Sequence, residues 1–500
     1  MLNLAVILRE SATVRPDAPA LMSDRGIVTY AELDARSDAV AAGLAGRGAG
    51  PGTAIALQLP NIPEFPIAYY GILKTGATVV PLNVLLRAPE VAYQLADSGA
   101  RALITWSGSV AEAAKGAAEA GLGDLYLVGA DDHAARPFDE LTTPVTGQFP
   151  LCDREPGDTA AIVYTSGTTG VPKGAELTHF QLYMNADIPG RLFEVRPDDV
   201  VLTALPLFHV FGMSSAMNVA LRFGAAMSLV PRFSAERVLA AIERDHATVF
   251  DGVPTMFIAL LAAAGTSDHD TSSLRVCVSG GDAIPAHVLD AFERQFGVPI
   301  LEGYGMTETA ATITFNSSAQ DRRVYSVGRP VWGVEVQVWD ADGRRLPPGR
   351  AHIGELVTRG YHTMHGYRGH AAATADAFRG GWFHTGDLGY QDTDGFLYIV
   401  DRQKDLIIRG GYNVYPREVE EVLYRHPDVA EAAVVGIPDE RLGQEVKAFV
   451  VPRPGCFPTA RQIIAYTRER LAAYKCPRLV EFRDTLPLTA AGKVVKKALV

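Results

Sequence analysis

The chain has little cysteine, no excess of basic charge and no long uninterrupted apolar run. Four cysteines, Cys152, Cys277, Cys456 and Cys476, are scattered through 500 residues, and none forms a C-x-x-C pair. This excludes a disulfide framework and a cysteine-based zinc site, and it fits a reducing cytoplasm. Cys277 lies in an apolar run and reads as a small buried residue. Acidic residues outnumber basic ones, 57 to 46, for a net charge of −11. Such a balance argues against non-specific nucleic-acid binding but not against an anionic nucleotide, because local loops decide that. The longest apolar stretch, 212–230, contains Asn218 and Arg222 and ends at Pro231. It reads as an internal helix and strand, not as a membrane span. Residues 1–8 are apolar but lack a positive n-region and meet Arg9-Glu10 at once, so they begin a helix and not a signal peptide. There is no lipidation or peroxisomal tripeptide, no internal repeat, no Ser-His-Asp arrangement and no metal-ligating histidine cluster.

What is present describes a globular protein of two or more domains, with 48% hydrophobic and 21% charged residues. Residues 1 to about 150 alternate helical and strand patterns, which implies a parallel sheet covered by helices. Thr29 is placed to cap a helix through Leu33 and Val40. Residues 151 to about 325 repeat the rhythm, with strands at 200–205, 248–253, 274–279 and 298–301. From about 326 to 400 the pattern turns β-rich, with Asp342-Gly343 and Asp394-Gly395 as turns. The expected organisation is a large N-terminal portion, 1–402, of two helix-covered α/β sheets plus this β-rich subdomain, then a small α+β domain, 403–500. In the small domain, Pro416 to Tyr424 and Thr459 to Ala473 read as helices.

The most distinctive stretch is Thr165-Ser166-Gly167-Thr168-Thr169-Gly170-Val171-Pro172-Lys173-Gly174. It follows an apolar strand, 160–164. Glycines let backbone N–H groups turn towards an anion, hydroxyls add rotatable donors, and Lys173 adds positive charge. A polyphosphate suits such a loop. It is not a Walker A loop, because Val171-Pro172 separates Gly170 from Lys173 and Gly174 follows the lysine. Other distinctive residues sit at the carboxyl ends of expected strands: His209, Pro254, Gly280-Gly281 and Tyr304. Ligands gather there in open α/β sheets. Tyr304 offers a flat face between Gly303 and Gly305, and Glu308 is the kind of oxygen ligand that Mg²⁺ prefers beside phosphates. Asp387 can accept two hydrogen bonds from neighbouring ribose hydroxyls.

Residues 165–174 resemble the phosphate-loop signature of the adenylate-forming superfamily, which includes acyl-CoA synthetases, aryl-CoA ligases, peptide-synthetase adenylation domains and firefly-type luciferases. Gly303-Tyr304-Gly305-Met306-Thr307-Glu308, Trp382-Phe383-His384-Thr385-Gly386-Asp387, Asp401-Arg402-Gln403-Lys404 and Gly492-Lys493 resemble further motifs in family order, covering nearly the whole chain. The resemblance implies an ATP- and Mg²⁺-dependent enzyme that joins a carboxylic acid to AMP and passes the acyl group to CoA. Its nucleotide site would comprise Thr165 to Gly170, Lys173, Gly281, Asp282, Gly303, Tyr304 (stacked on adenine), Gly305, Thr307 (on the phosphates), Asp387 (on the ribose), Arg402 and Lys493. Glu308 would hold the metal. Lys404 would be a hinge, Gly410 and Gly411 would line the CoA tunnel, and Lys493 would meet the carboxylate and α-phosphate. His209 would stand between acid pocket and thiol tunnel. The acid pocket is expected from His209, Met213, Val253, Thr255, Met256, Ser279, Gly280, Gly303 and Thr312, which are mostly small or apolar. Gly303 stands where malonate-specific relatives place an arginine. No aspartate marks an amino-acid site, Asp282 being the nearest candidate. A medium- or long-chain fatty acid is the leading expectation and an aryl acid the second. A non-CoA adenylating enzyme, a luciferase-like oxygenase and a nucleotide-binding protein without turnover are the alternatives. The expected partners are small molecules only, with the chain as a monomer or homodimer.

Overall fold

The computed structural model describes residues 2–129, 135–165, 171–265, 268–489 and 492–499, and these form four sheets. Two of them are large. In the eight-stranded sheet the order is Gly366–Tyr367, Lys173–Thr178, Thr159–Thr165, Thr78–Pro81, Ala54–Gln58, Ala100–Trp106, Asp124–Val128, Arg136–Pro137. Its centre is parallel, because the helices Glu64–Lys74 and Ala88–Ser98 carry the chain back between strands. In the nine-stranded sheet, Val200–Thr203, Val249–Gly252, Val276–Ser279 and Ile300–Tyr304 run parallel side by side.

Strand existence follows the sequence pattern, but strand partnership departs from it. The segments 1–150 and 151–325 do not make one sheet each. The hairpin Pro19–Ser23/Gly26–Thr29 joins the nine-stranded sheet, where Leu21 pairs with Met227. The hairpin Thr159–Thr165/Lys173–Thr178 joins the other, where Ala161 pairs with Val79. Alternation of strands and helices specifies direction and burial and leaves the choice of neighbour open. The interleaving is what brings Thr165 and Lys173 to the seam between the sheets.

One apolar cluster draws on both large sheets, with Ile55, Val79 and Ile104 from one and Val201, Val249 and Leu301 from the other. The helix Glu64–Lys74 contributes Phe65, Tyr69, Tyr70 and Leu73. It ends on Lys74, which is fully buried and donates from Nζ to Asp34 Oδ1 and Asp38 Oδ1 at 2.6 Å and to Ser37 Oγ at 2.7 Å. Arg9 closes the same cluster, 2.9 Å from Asp34 and 2.6 Å from Asp38. The next helix in contact, Tyr30–Ala45, is capped as expected: Thr29 accepts from Glu32 N–H, and the Glu32 side chain answers to Thr29 N–H.

The third sheet, antiparallel, holds Val334–Trp339, Gly354–Gly360, Phe378–Arg379, Trp382–Gln391 and Leu397–Arg402. A single helical turn, Gln403–Asp405, then leads to the fourth sheet of Ile407–Arg409, Tyr412–Val414, Val429–Asp439, Gly443–Pro452 and Leu479–Phe482. Helix Pro416–Tyr424 packs on it through Val419 and Leu423. The second helix, Ala460–Arg468, is capped by Thr459 but ends short of Ala473. Arg470 and Leu471 both donate backbone N–H to Thr467 O, which tightens the last turn and returns Leu471 to the small core. No described helix is long and apolar enough to cross a membrane.

Candidate active site

A cavity of about 960 Å³ opens where the strand ends of both large sheets meet the third sheet and a loop from the small domain. Thr165 and Lys173, the residues that bracket the hydroxyl-rich loop, are paired across the hairpin and both line the cavity. Ser166, Gly167, Thr168, Thr169 and Gly170 lie outside the described residues.

On the opposite side, strand Ile300–Tyr304 delivers Gly303, Tyr304 and Gly305 to the cavity. The Tyr304 hydroxyl donates to Asp387 Oδ2 at 2.6 Å. Asp387 sits in strand Trp382–Gln391 and pairs with Arg402, whose Nε stands 3.7 Å from Oδ1. Burial raises the Asp387 pKa, and Arg402, Tyr304 and Lys493 hold it back. The turn before Asp387 is fixed by Glu355, which accepts from Gly386 N–H at 3.1 Å and faces His384 at 2.8 Å. Past Gly305 the backbone is strained: Ala310 and Ala311 have φ of 52° and 104°. Left-handed alanines of this kind persist where surroundings over-determine them, as at ligand sites.

Thr307 and Glu308 begin the intervening helical turn and line the cavity. Glu308 Oε1 accepts from Tyr367 Oη at 2.9 Å. Burial raises the Glu308 pKa, and the Tyr367 and Thr165 hydroxyls oppose the rise. Lys173 Nζ lies 5.3 Å from the centre of the same Tyr367 ring. Sequence reasoning missed Tyr367. It arrives on a two-residue strand paired with Ala175, a contact across the chain that no local pattern announces. No group of three or more His, Cys, Asp or Glu suited to a metal occurs among the described residues. A half-buried, cavity-facing carboxylate such as Glu308 suits Mg²⁺, which keeps waters and is shared with substrate phosphates.

Lys493 comes from the far end of the chain. Leu488 and Val494 form a bridge, and Thr489 Oγ1 accepts from Lys493 N–H at 3.1 Å. Thr489 and Lys493 both line the cavity. A Cβ on Gly281 would stand 3.1 Å from Lys493 Cε, so the bare glycine backbone makes room for the lysine stem. Burial and the Arg402 charge lower the Lys493 pKa, while Asp282, Asp387 and Glu308 oppose them. Asp282 itself is exposed and lies outside the cavity lining. Arg402 and Lys404 line the mouth. Gly410 and Gly411 do not: they form the tip of the hairpin Ile407–Arg409/Tyr412–Val414, with φ of 57° and 84°, outside the cavity lining.

The residues expected to form an acid pocket are only partly brought together. His209, Ser279, Gly280, Gly303 and Thr312 line the cavity, but Met213, Val253, Thr255 and Met256 do not. Met213 packs in the large core, and Val253 and Met256 in the neighbouring one. Thr255 instead donates from Oγ1 to Gly492 O at 3.3 Å, so Val253 and Thr255 form the seat of the Lys493 loop. The walls come from residues absent from the expected pocket, Phe193, Phe211 and Phe315 above all. A Cβ on Gly280 would lie 3.0 Å from the Phe211 ring, and one on Gly303 would lie 2.7 Å from that of Phe315. The space above both glycines is therefore filled by the protein's own rings. Phe211 opens a π-helical segment, Phe211–Asn218, whose wider turn also aims Ser215 at the cavity. Burial and nearby Lys493 lower the His209 pKa to about 4, so the ring is neutral near pH 7.

Residues 8–368 match the family model described as AMP-binding enzyme, and residues 418–493 match that of the AMP-binding enzyme C-terminal domain. The chain is 34% identical to a long-chain-fatty-acid–CoA ligase of Bacillus subtilis over 99% of this chain and 94% of the relative. It is 38% identical to a feruloyl-CoA synthase of an Amycolatopsis species over 97% and 96%. It superposes on the anthranilate CoA ligase AuaEII in complex with anthranoyl-AMP with a TM-score of 0.93 and 32% identity, over 99% of this chain and 96% of that one. With both family models matched and the relatives covered almost end to end, the chain belongs to the AMP-binding enzyme family.

Proposed function

We propose that this AMP-forming acid–thiol ligase, which uses ATP, Mg²⁺ and CoA, activates an aryl carboxylic acid in two steps. A carboxylate oxygen attacks the α-phosphorus of ATP, forming the acyl–O–P bond as pyrophosphate leaves. The CoA thiolate then attacks the acyl carbon, and AMP departs with the C–O bond electrons.

The observation that carries the reading is the arrival of Lys493, from the small domain, in the cavity that holds Glu308 and the Tyr304–Asp387 pair. Lys493 would meet the negative charge that builds between carboxylate and α-phosphate. Lys173 and the hydroxyl-rich loop would cradle the outer phosphates, Thr307 would add a hydrogen bond, and Glu308 would hold Mg²⁺, which when bound neutralises phosphate charge. Tyr304 would stack on adenine, and Asp387 with Arg402 would take the ribose. Neutral His209 would position the acid without exchanging protons. Gly410 and Gly411 stand outside the cavity while Lys493 is inside, which supports a second pose for thioester formation, reached by turning at Lys404. The unit that turns would be 403–500.

For the acid, the support comes from the phenylalanine walls. Phe211 and Phe315 shorten the space that Gly280 and Gly303 leave, and a flat ring fits between them better than a long chain. Phe193, Phe208, Phe211 and Phe315 surround this end, and its polar groups, Ser215, Ser279 and Thr312, are uncharged, so a dicarboxylate would bury an unpaired charge. A feruloyl-CoA synthase and an anthranilate CoA ligase among the relatives are in keeping with this. The long-chain-fatty-acid–CoA ligase keeps a fatty acid as the second reading. Pyrophosphate release from ATP with benzoates, cinnamates and fatty acids of graded length, with and without CoA, tests the proposal. The highest kcat/KM on an aryl acid supports it, and the highest on a fatty acid of twelve or more carbons rejects it.

A further inference from the structure

Among the described residues, one polar contact between the small domain and the large one is built unusually. Arg425 Nη2 donates to Tyr325 Oη at 2.9 Å. Tyr325 has φ of 70°, a left-handed conformation that is costly for a bulky residue. The chain on both sides of it is pinned. Ser326, fully buried, donates from Oγ to Leu397 O at 2.8 Å, and its carbonyl accepts from Asn316 Nδ2 at 2.7 Å. Arg323 pairs with Asp392 at 2.5 Å and lies 4.4 Å from the Phe396 ring centre. The fold therefore displays the Tyr325 hydroxyl from a rigid, strained mount. Strain held by so many contacts marks a position with a task.

Arg425 is also anchored. It caps the C-terminal end of helix Pro416–Tyr424, and its carbonyl accepts from Tyr466 Oη at 2.8 Å. The other end of that helix is tied next to the hinge turn: Arg417 N–H donates to Asp401 Oδ2 at 3.0 Å and Arg417 Nη1 to Ile399 O at 2.8 Å. The helix spans about 13 Å at 1.5 Å per residue. A contact beside a pivot resists rotation weakly, whereas one at the far end of the lever resists it strongly. The third point is Thr255 on Gly492. Three separated points define a rigid-body pose, and this pose places Lys493 in the cavity.

We propose that Arg425 and Tyr325 form a latch that holds the small domain in the adenylating pose, so that both are positioning residues for the first step alone. The inference rests on the two-step ligase reading. The contact breaks when the small domain turns, so its loss leaves the second step untouched.

The test uses the full-length enzyme and four variants: Tyr325→Phe, Arg425→Gln, the double variant and Arg425→Lys. Acid-dependent exchange of labelled pyrophosphate into ATP reads the first step, and thioester formation from supplied acyl-adenylate and CoA reads the second. Each of the first two variants should slow exchange about five-fold, the worth of one such hydrogen bond. Thioester formation should stay at the wild-type rate. The double variant should be no slower than either single one, and Arg425→Lys should recover part of the loss, since an ammonium still donates to Oη. Exchange at the wild-type rate in the variants, equal loss of both steps, or multiplied losses in the double variant would overturn the latch while leaving the ligase reading intact. A wild-type enzyme that exchanges pyrophosphate with no acid would overturn the ligase reading and the latch with it.

Discussion

The Tyr304 hydroxyl donates to Asp387 Oδ2 at 2.6 Å, joining a strand of the nine-stranded sheet to one of the antiparallel sheet across the cavity. The residue proposed to stack on adenine thus aims the carboxylate proposed to hold the ribose. Tyr304→Phe keeps the ring and frees the carboxylate. KM for ATP should rise about five-fold with kcat nearly unchanged, the signature of a lost ground-state interaction. Asp387→Ala should be far more damaging. A Tyr304→Phe enzyme with unchanged KM would mean that the pair is incidental to the nucleotide.

In the role proposed for it, Lys493 offsets charge in the first step as an ammonium, yet burial and Arg402 lower its pKa. Its charged form is the one lost as pH rises, so kcat/KM for ATP should fall on an alkaline limb that begins below the ordinary lysine range. Lys493→Arg should move that limb upward, because a guanidinium does not deprotonate. His209, neutral at this pH, should add no limb of its own. Rate profiles of wild type, Lys493→Arg and His209→Asn decide this.

Phe211 lies over Gly280 and closes one wall of the end of the cavity proposed to take the acid. Phe211→Ala removes the ring and lengthens the space. The ratio of kcat/KM for octanoate over benzoate should rise ten-fold or more, at about 1–3 kcal/mol per well-fitted apolar contact. A ratio that does not move would put the acid elsewhere.

Lys74 is fully buried between Asp34 and Asp38 and ties the helix Glu64–Lys74 to the helix Tyr30–Ala45. Lys74→Met leaves two buried carboxylates with Arg9 alone. Urea unfolding should show a loss of about 3–5 kcal/mol, while kcat/KM of the folded fraction stays as in wild type, since the cluster is outside the cavity lining.

Strands and caps were legible where a local rule governs them. Thr29 with Glu32 makes its capping box, Asp394-Gly395 makes its hairpin, and helix Pro416–Tyr424 has the expected bounds. What depends on distant pairing was not. Nothing in residues 19–29 says that they add to strand Ala226–Leu229, and nothing near Tyr367 says that it reaches Glu308. The acid end shows the same limit. Val253 and Thr255 follow a strand as pocket residues do, but the Lys493 loop sits on them, and Phe315 reaches the wall through an antiparallel pairing with Gly303. The motifs marked the side proposed to take the nucleotide, because phosphate and ribose demand particular side chains. An apolar pocket demands only shape, which many sequences supply.

The most direct test separates the two half-reactions in Lys493→Ala. The account predicts that acid-dependent exchange of labelled pyrophosphate into ATP falls at least a thousand-fold, while transfer from supplied acyl-adenylate to CoA continues within about two-fold of wild type. Equal loss of both activities, or exchange that survives, would contradict it.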